Sequence, residues 1–261
     1  MPSNYAHYRF GVELIEKLPP DVRRTVGRFR QLFDMGLHGP DLFLYHDPLV
    51  KTASVKLSKK FHSQTGKVFF ERVCRSLRLN PSEGAAAYLY GVLAHYTLDS
   101  MCHPYVRRMM EQGTDSHNQI ETEFDRYLLE LDGKGPAYLY DQSGHMQLTP
   151  GECETAASFY PGASAGTVRR SVKRMAACTR FLVMPRGPRR TIVERSLKLT
   201  APNAAGLVMQ VRPDHSSKER NEDLLRLFEM SLERYLVLLD QIQAHLRCKT
   251  PLGSDFSLTF D

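Results

Sequence analysis

Apolar positions along this chain recur with a 3.6-residue period far more than by strict alternation, so the sequence predicts helices and few strands. Residues 7–17 predict a short helix stopped by Pro19-Pro20. Pro20 or Asp21 opens a second, running to about Met35 before Gly36. Residues 36–50, GLHGPDLFLYHDPLV, carry two glycines and two prolines and read as a loop. The period returns over 49–79, with Gly66 as a weak point that divides it into two helices. Asn80-Pro81-Ser82 then breaks the pattern and supplies a cap. Residues 83–112 form the least polar helical stretch in the chain, which predicts a helix buried on all sides. Gly113 to Ser116 closes it, and Ser116 caps a helix from His117 to about Leu131. Residues 133–148 read as loop. Further helices are predicted at 151–159, 165–184, 189–199 and 217–246, the last with an apolar stripe through Leu224, Phe228, Leu232, Tyr235, Leu239 and Ile242. The final dozen residues read as frayed. The expectation is one all-α, multi-helix domain over residues 1–250. Its chemistry-bearing half is 1–135, helices of the second half occupy 150–248, and 251–261 form a tail.

Composition narrows the class without changing that picture. A chain of 261 residues that is 42% hydrophobic and 25% charged has ordinary globular composition, which excludes collagen-like and fully disordered chains. No run approaches the ~18 apolar residues of a membrane span, and the start lacks the basic-then-apolar order of a secretory leader. A cytoplasmic location is the expectation. Five scattered cysteines with no CxxC pair argue against a disulfide framework or a cysteine zinc finger.

The net charge of +6 fits anionic partners without requiring them. Part of it is concentrated. Arg169, Arg170, Lys173, Arg174, Arg180, Arg186, Arg189, Arg190 and Arg195 lie in a span whose only acid is Glu194. Such a cluster suits peripheral contact with an anionic membrane, and less well nucleic acid. A solvated face neutralised by acids elsewhere, such as those of 121–132, is the plainer reading.

Seven of the ten histidines fall within the first 117 residues. The sharpest pattern is His95-x3-Asp99-x3-His103. On a helix these side chains share one face, with successive members about 6 Å apart along the axis. Polar groups repeated along so apolar a helix are costly to bury, and a bound metal removes that cost. Imidazole and carboxylate are zinc ligands. His117-x3-Glu121 repeats the motif on the next helix, and Asp125 continues its face. A short connection between the two helices would bring His103, His117 and Glu121 around one ion. The loop 36–48 adds Asp41 and His46. His38 and His62 read as surface or supporting residues. Phe43, Tyr45 and Tyr96 read as core more than as a substrate pocket.

The segments AHYRFG, HGPDLFLYH, LYGVLAHYTLDSMCHP and HNQIETEFD occur in this order across about half of the chain. In that arrangement the sequence resembles the bacterial zinc-dependent phospholipase C family. The resemblance implies an all-α fold, shared with single-strand nucleases, and a site for two or three zinc ions. It implies Asp41, His46, His95 and Asp99 as ligands of one zinc, and His103, His117 and Glu121 as ligands of a second. His7 and a bridging Asp99 would hold a third. Family members complete that third site with an N-terminal Trp, and this chain contains no Trp. The spacing of three residues between Asp99 and His103 is also shorter than in the secreted enzymes. The implied activity is phosphodiester hydrolysis by zinc-activated water. Asp41 is the candidate to orient or deprotonate that water, and a phospholipid head group the candidate substrate. Three other readings remain: a nuclease of the same fold, an HD-type phosphohydrolase using His46-Asp47, and a non-catalytic protein with structural zinc.

Overall fold

The computed structural model describes residues 4–46, 53–113 and 115–260. Among the described residues there are twelve α-helices and no strand. The only β-type pairing among them is an isolated antiparallel bridge between Thr65 and Thr259. The first helices are α1 (Asn4–Lys17), α2 (Pro20–Arg28) and α3 (Arg30–Gly36). One helix was expected where α2 and α3 stand. The chain breaks at Phe29, whose backbone leaves the helical region at φ −119° and ψ 46°. The expected loop after Gly36 is in large part a 3-10 helix, Gly39–Tyr45. Its last expected members, including Asp47, lie outside the described residues.

Next come α4 (Ala53–His62), α5 (Gly66–Leu79), α6 (Glu83–Gln112) and α7 (His117–Leu131). Local chemistry explains their starts. The Ser82 side chain accepts from the Ala85 N–H, and Ser116 with Gln119 forms a reciprocal capping box. The remaining helices are α8 (Pro150–Ala157), α9 (Ala165–Leu182), α10 (Pro188–Thr200), the short α11 (Pro202–Ala205) and α12 (Lys218–Cys248). A second capping box, Thr149 with Glu152, starts α8.

Helix α6 is the axis of the fold. Residues 87–100 of it are all buried, so its side chains meet protein on every side. Helices α3 and α12 pack on it most extensively, with α1, α2, α7 and α8 around them. The α3–α6 crossing requires glycine on both sides. A Cβ on Gly91 would stand 2.2 Å from the Phe33 carbonyl oxygen, and the Gly36 and Gly91 backbones meet there. Phe10, Phe228 and Tyr235 pack edge to face between α1 and α12. Each such buried aromatic stabilises the fold by about 1.5–3 kcal/mol. Phe43 and Tyr96 are fully buried and Tyr45 nearly so, in keeping with core roles.

The last residues do not form a frayed end. Leu252, Phe256 and Phe260 are buried, and Phe256 stacks on Tyr96. The Tyr96 hydroxyl donates to the carbonyls of Asp255 (3.1 Å) and Leu258 (3.2 Å), and the Gly66 N–H donates to Leu258 (2.8 Å). This segment therefore returns across α5 onto α6, at the level of the polar stripe. No helix among the described residues is long and apolar enough to cross a membrane.

Candidate metal centre

His95, Asp99 and His103 lie at four-residue intervals on α6, and their polar ends meet. His95 Nε2 is 3.1 Å from Asp99 Oδ2, and His103 Nε2 is 3.6 Å from Asp99 Oδ1. The same Oδ1 lies 3.1 Å from His7 Nε2 on α1. One carboxylate thus faces three imidazoles with its two oxygens. Helix α1 is held for this by Asp125, whose oxygens accept the N–H groups of Tyr5 (3.0 Å) and Ala6 (2.8 Å). A carboxylate at a helix N-terminus satisfies orphan donors and complements the helix dipole. Asp125, expected to continue the His117–Glu121 face, acts in this way on α1 instead.

Ligand atoms of Asp41, His62, His95 and Asp99 all lie within 4.8 Å of one another. His62, not His46, accompanies Asp41: His62 Nε2 stands 3.0 Å from Asp41 Oδ1. The reason is the 3-10 helix. With about three residues per turn and 2.0 Å of rise, a residue five positions after Asp41 points elsewhere and sits about 10 Å further along. His46 falls at the end of that helix, where its carbonyl accepts from Arg174. His62 arrives from the C-terminal end of α4, which packs on the 3-10 helix. Nothing local in the sequence announces that approach. The signal that was available was the chemical one, a histidine at the end of an amphipathic helix.

His103, His117 and Glu121 form the second group, again within 4.8 Å. Glu121 Oε1 is 2.9 Å from His117 Nε2 and 3.4 Å from His103 Nε2. This is the arrangement of facing helices expected from the short α6–α7 connection.

The imidazoles are oriented for ligation. His95 Nδ1 faces the Leu37 carbonyl (3.2 Å), His62 Nδ1 the Ser58 carbonyl (2.9 Å) and His103 Nδ1 the Phe260 carbonyl (3.1 Å). A carbonyl partner fixes Nδ1 as the protonated nitrogen and turns the Nε2 lone pair inward. Gly39 makes the first of these contacts accessible. Its φ is +47°, and a Cβ there would lie 2.4 Å from the His95 ring.

In the Asp41–His62–His95–Asp99 group the inward atoms are close without well-directed hydrogen bonds to one another. His62 Nε2, His95 Nε2, Asp99 Oδ2 and both Asp41 oxygens are buried without a hydrogen bond of acceptable geometry. Buried polar atoms are almost always satisfied, so a group that accepts several lone pairs is implied. Ligand atoms about 2.0–2.1 Å from a tetrahedral zinc stand about 3.3 Å apart. The separations of 2.9–3.6 Å between facing N and O atoms match that requirement. The donor set of imidazole and carboxylate, with no thiolate, fits zinc as well.

Charge points the same way. Burial would raise Asp99, yet His103, His95 and His7 hold it well below the usual carboxylate range. Asp41 is lowered against its own burial, with His62 and His95 among the positive groups that lower it. Glu121, also buried, is brought down to about 2 beside His117 and His103. Burial pushes His95 down to about 4, which keeps it neutral, the ligating form. Without an ion, part of the balancing positive charge comes from protons on His62 and His103, both of which are raised by facing carboxylates despite burial. A cation would displace those protons.

A further histidine pair lies beside this group. His38 Nε2 and His145 Nε2 are 2.7 Å apart, and the His145 ring stacks on Tyr8. Burial depresses both, so the pair is neutral.

Fold and site together define an all-α protein with two adjoining histidine–carboxylate groups suited to metal binding. A model of the zinc dependent phospholipase C family matches residues 6–159, more than half of the chain, and the chain belongs to that family. The match runs from α1 through α8 and includes every residue of the centre. No curated protein and no solved structure matches the chain.

Proposed function

We propose that this protein is a zinc-dependent phosphodiester hydrolase acting on phospholipids, with two or three zinc ions held by His7, Asp41, His62, His95, Asp99, His103, His117 and Glu121. The observation that carries this reading is the convergence of four buried ligand atoms, from Asp41, His62, His95 and Asp99, within 4.8 Å of one another, with His7 and His103 facing the same Asp99 carboxylate. Family membership supports the chemistry.

Zinc, when bound, polarises the phosphoryl oxygens and makes hydroxide available near neutral pH. The chain's own groups position that chemistry. Asp99 spans the two groups of ligands and holds them in one geometry. Asp41 is a weak base, because its carboxyl is held so low. It therefore orients the attacking water by accepting its hydrogen bond and does not retain the proton. The water oxygen forms the new bond to phosphorus, and the bond from phosphorus to the glycerol oxygen breaks. The leaving oxygen takes up a proton. The products are diacylglycerol and a phosphorylated head group. The substrate enters at the His117–Glu121 side, since the His117 side chain is 24% exposed while that of His95 is fully buried.

Zinc-loaded protein should release phosphorylated head group from phospholipid and hydrolyse a soluble choline phosphodiester. Chelation should abolish both activities and added zinc should restore them. Preferential cleavage of single-stranded DNA would replace this reading with a nuclease. A zinc-replete protein inert on all three substrates would leave the metal a structural role.

A further inference from the structure

Outside the family match, α10 stands apart from every other long helix. Twelve of its thirteen residues are at least partly exposed, and its one buried residue is Arg190. It packs on α11, and beyond that it is covered by little. Val193 and Leu197 are half-buried, but two of its apolar residues face outward: Ile192 is 68% exposed and Leu199 85%. Seven residues apart, they fall on one face, about 20° from alignment. Phe181, at the end of α9, adds a third exposed large apolar side chain beside the start of α10, under the Arg189 guanidinium.

The helix is tethered from its opposite side. Arg190 lies about 160° around the helix from Ile192. Its guanidinium donates to the carbonyls of Met184 and Met209 and pairs with Glu194 at 2.7 Å. Glu194 is the only acid of α10, so this pairing removes its negative charge from the outer face. Arg186, Arg189, Arg195 and Lys198 are all exposed. Arg189 and Arg195 lie about 60° to either side of the Ile192–Leu199 stripe.

We infer that α10, with Phe181, is a docking helix that lays the protein on an anionic phospholipid surface. An exposed apolar stripe bordered by cations is the pattern of a helix lying in a membrane interface. Ile192, Leu199 and Phe181 enter the boundary between head groups and acyl chains, and the flanking Arg and Lys meet lipid phosphates. A nucleic acid would satisfy the cations but gain nothing from the two aliphatic side chains, so the apolar stripe decides for lipid. The helix is also well placed. The α10–α11 unit packs against α7. Gly206, which follows α11, lies so close to the N-terminus of α7 that a Cβ would be 2.9 Å from Gln119 N and Ser116 Oγ. His117, the most exposed side chain of the metal centre, begins that helix. Docking through α10 therefore keeps the open edge of the centre near the bilayer.

This inference deepens the phospholipase reading and rests on it for its purpose, but its test is separate. Full-length protein is sedimented with phosphatidylcholine vesicles carrying or lacking phosphatidylglycerol, and hydrolysis of a soluble phosphodiester is measured on the same preparations. The expected result is binding to anionic vesicles that weakens with salt. Each Arg or Lys near the surface strengthens binding about fivefold, so the triple variant Arg189→Gln/Arg195→Gln/Lys198→Gln should bind about a hundredfold less tightly. Ile192→Glu/Leu199→Glu should lose vesicle binding while zinc content and soluble-substrate turnover stay at the parent level. Parent-like vesicle binding by either variant would overturn the inference. So would absence of vesicle binding by the parent, or equal loss of single-stranded DNA binding and vesicle binding in the charge variant with none in the apolar one. Absent soluble turnover in every preparation would instead count against the phospholipase reading and leave the vesicle result standing.

Discussion

The two groups of ligands are built from the same chemistry but placed differently. The Asp41–His62–His95–Asp99 group is assembled from α4, a 3-10 helix and α6, and is nearly sealed: the Asp41 side chain is 1% exposed. The His103–His117–Glu121 group joins α6 to the start of α7 and opens toward solvent through His117. Asp99 belongs to both by its contacts. The difference teaches that donor chemistry and access are set separately: the same residue types stand nearly closed to solvent in one group and open through His117 in the other. Structural metal sites are closed and catalytic ones retain an open position, so the two groups differ in the property that separates those classes.

The largest expected effect comes from the residue the groups share. Asp99→Asn keeps the shape but loses the charge that faces His7, His95 and His103. Outer partners of metal ligands cost up to about a hundredfold in affinity or activity when removed, and a direct ligand should exceed that. Phosphodiester turnover should fall by more than a hundredfold with the helical circular dichroism unchanged. Turnover within tenfold of the parent would remove Asp99 from the centre.

The contrast between the groups can itself be broken. His95→Ala empties a fully buried position at the middle of the fold, and should cost the zinc-loaded protein about 2–4 kcal/mol in denaturant unfolding. His117→Ala acts at a half-open rim and should stay within about 1 kcal/mol, while still reducing turnover. Equal destabilisation by the two would erase the distinction between a sealed and an open group.

How much of this could be read from the chain depended on distance. The stripe on α6 is legible because helical geometry alone brings residues four apart into line. His117 and Glu121 are legible for the same reason, and Ser116 marks where their helix starts. His62 was not, because it meets Asp41 only through the packing of α4 on the 3-10 helix. The resemblance implied His46 beside Asp41, but the residue that meets Asp41 is His62. The packed C-terminal segment was also missed. Leu252, Phe256 and Phe260 recur every four residues, but Gly, Ser and Asp between them conceal the pattern. What holds the segment is tertiary: the Tyr96 hydroxyl and the His103 ring reach its carbonyls. The break at Phe29 carries no Gly or Pro of its own to signal it.

The most direct test of the account is metal stoichiometry by plasma mass spectrometry, on protein purified without an affinity metal column. The parent should carry two or three zinc ions per chain. His62→Ala should carry about one fewer, and His46→Ala should match the parent. Loss of zinc in His46→Ala with none in His62→Ala would contradict the geometry of the sealed group, and a parent that takes up no zinc even on reconstitution would contradict the metal centre itself.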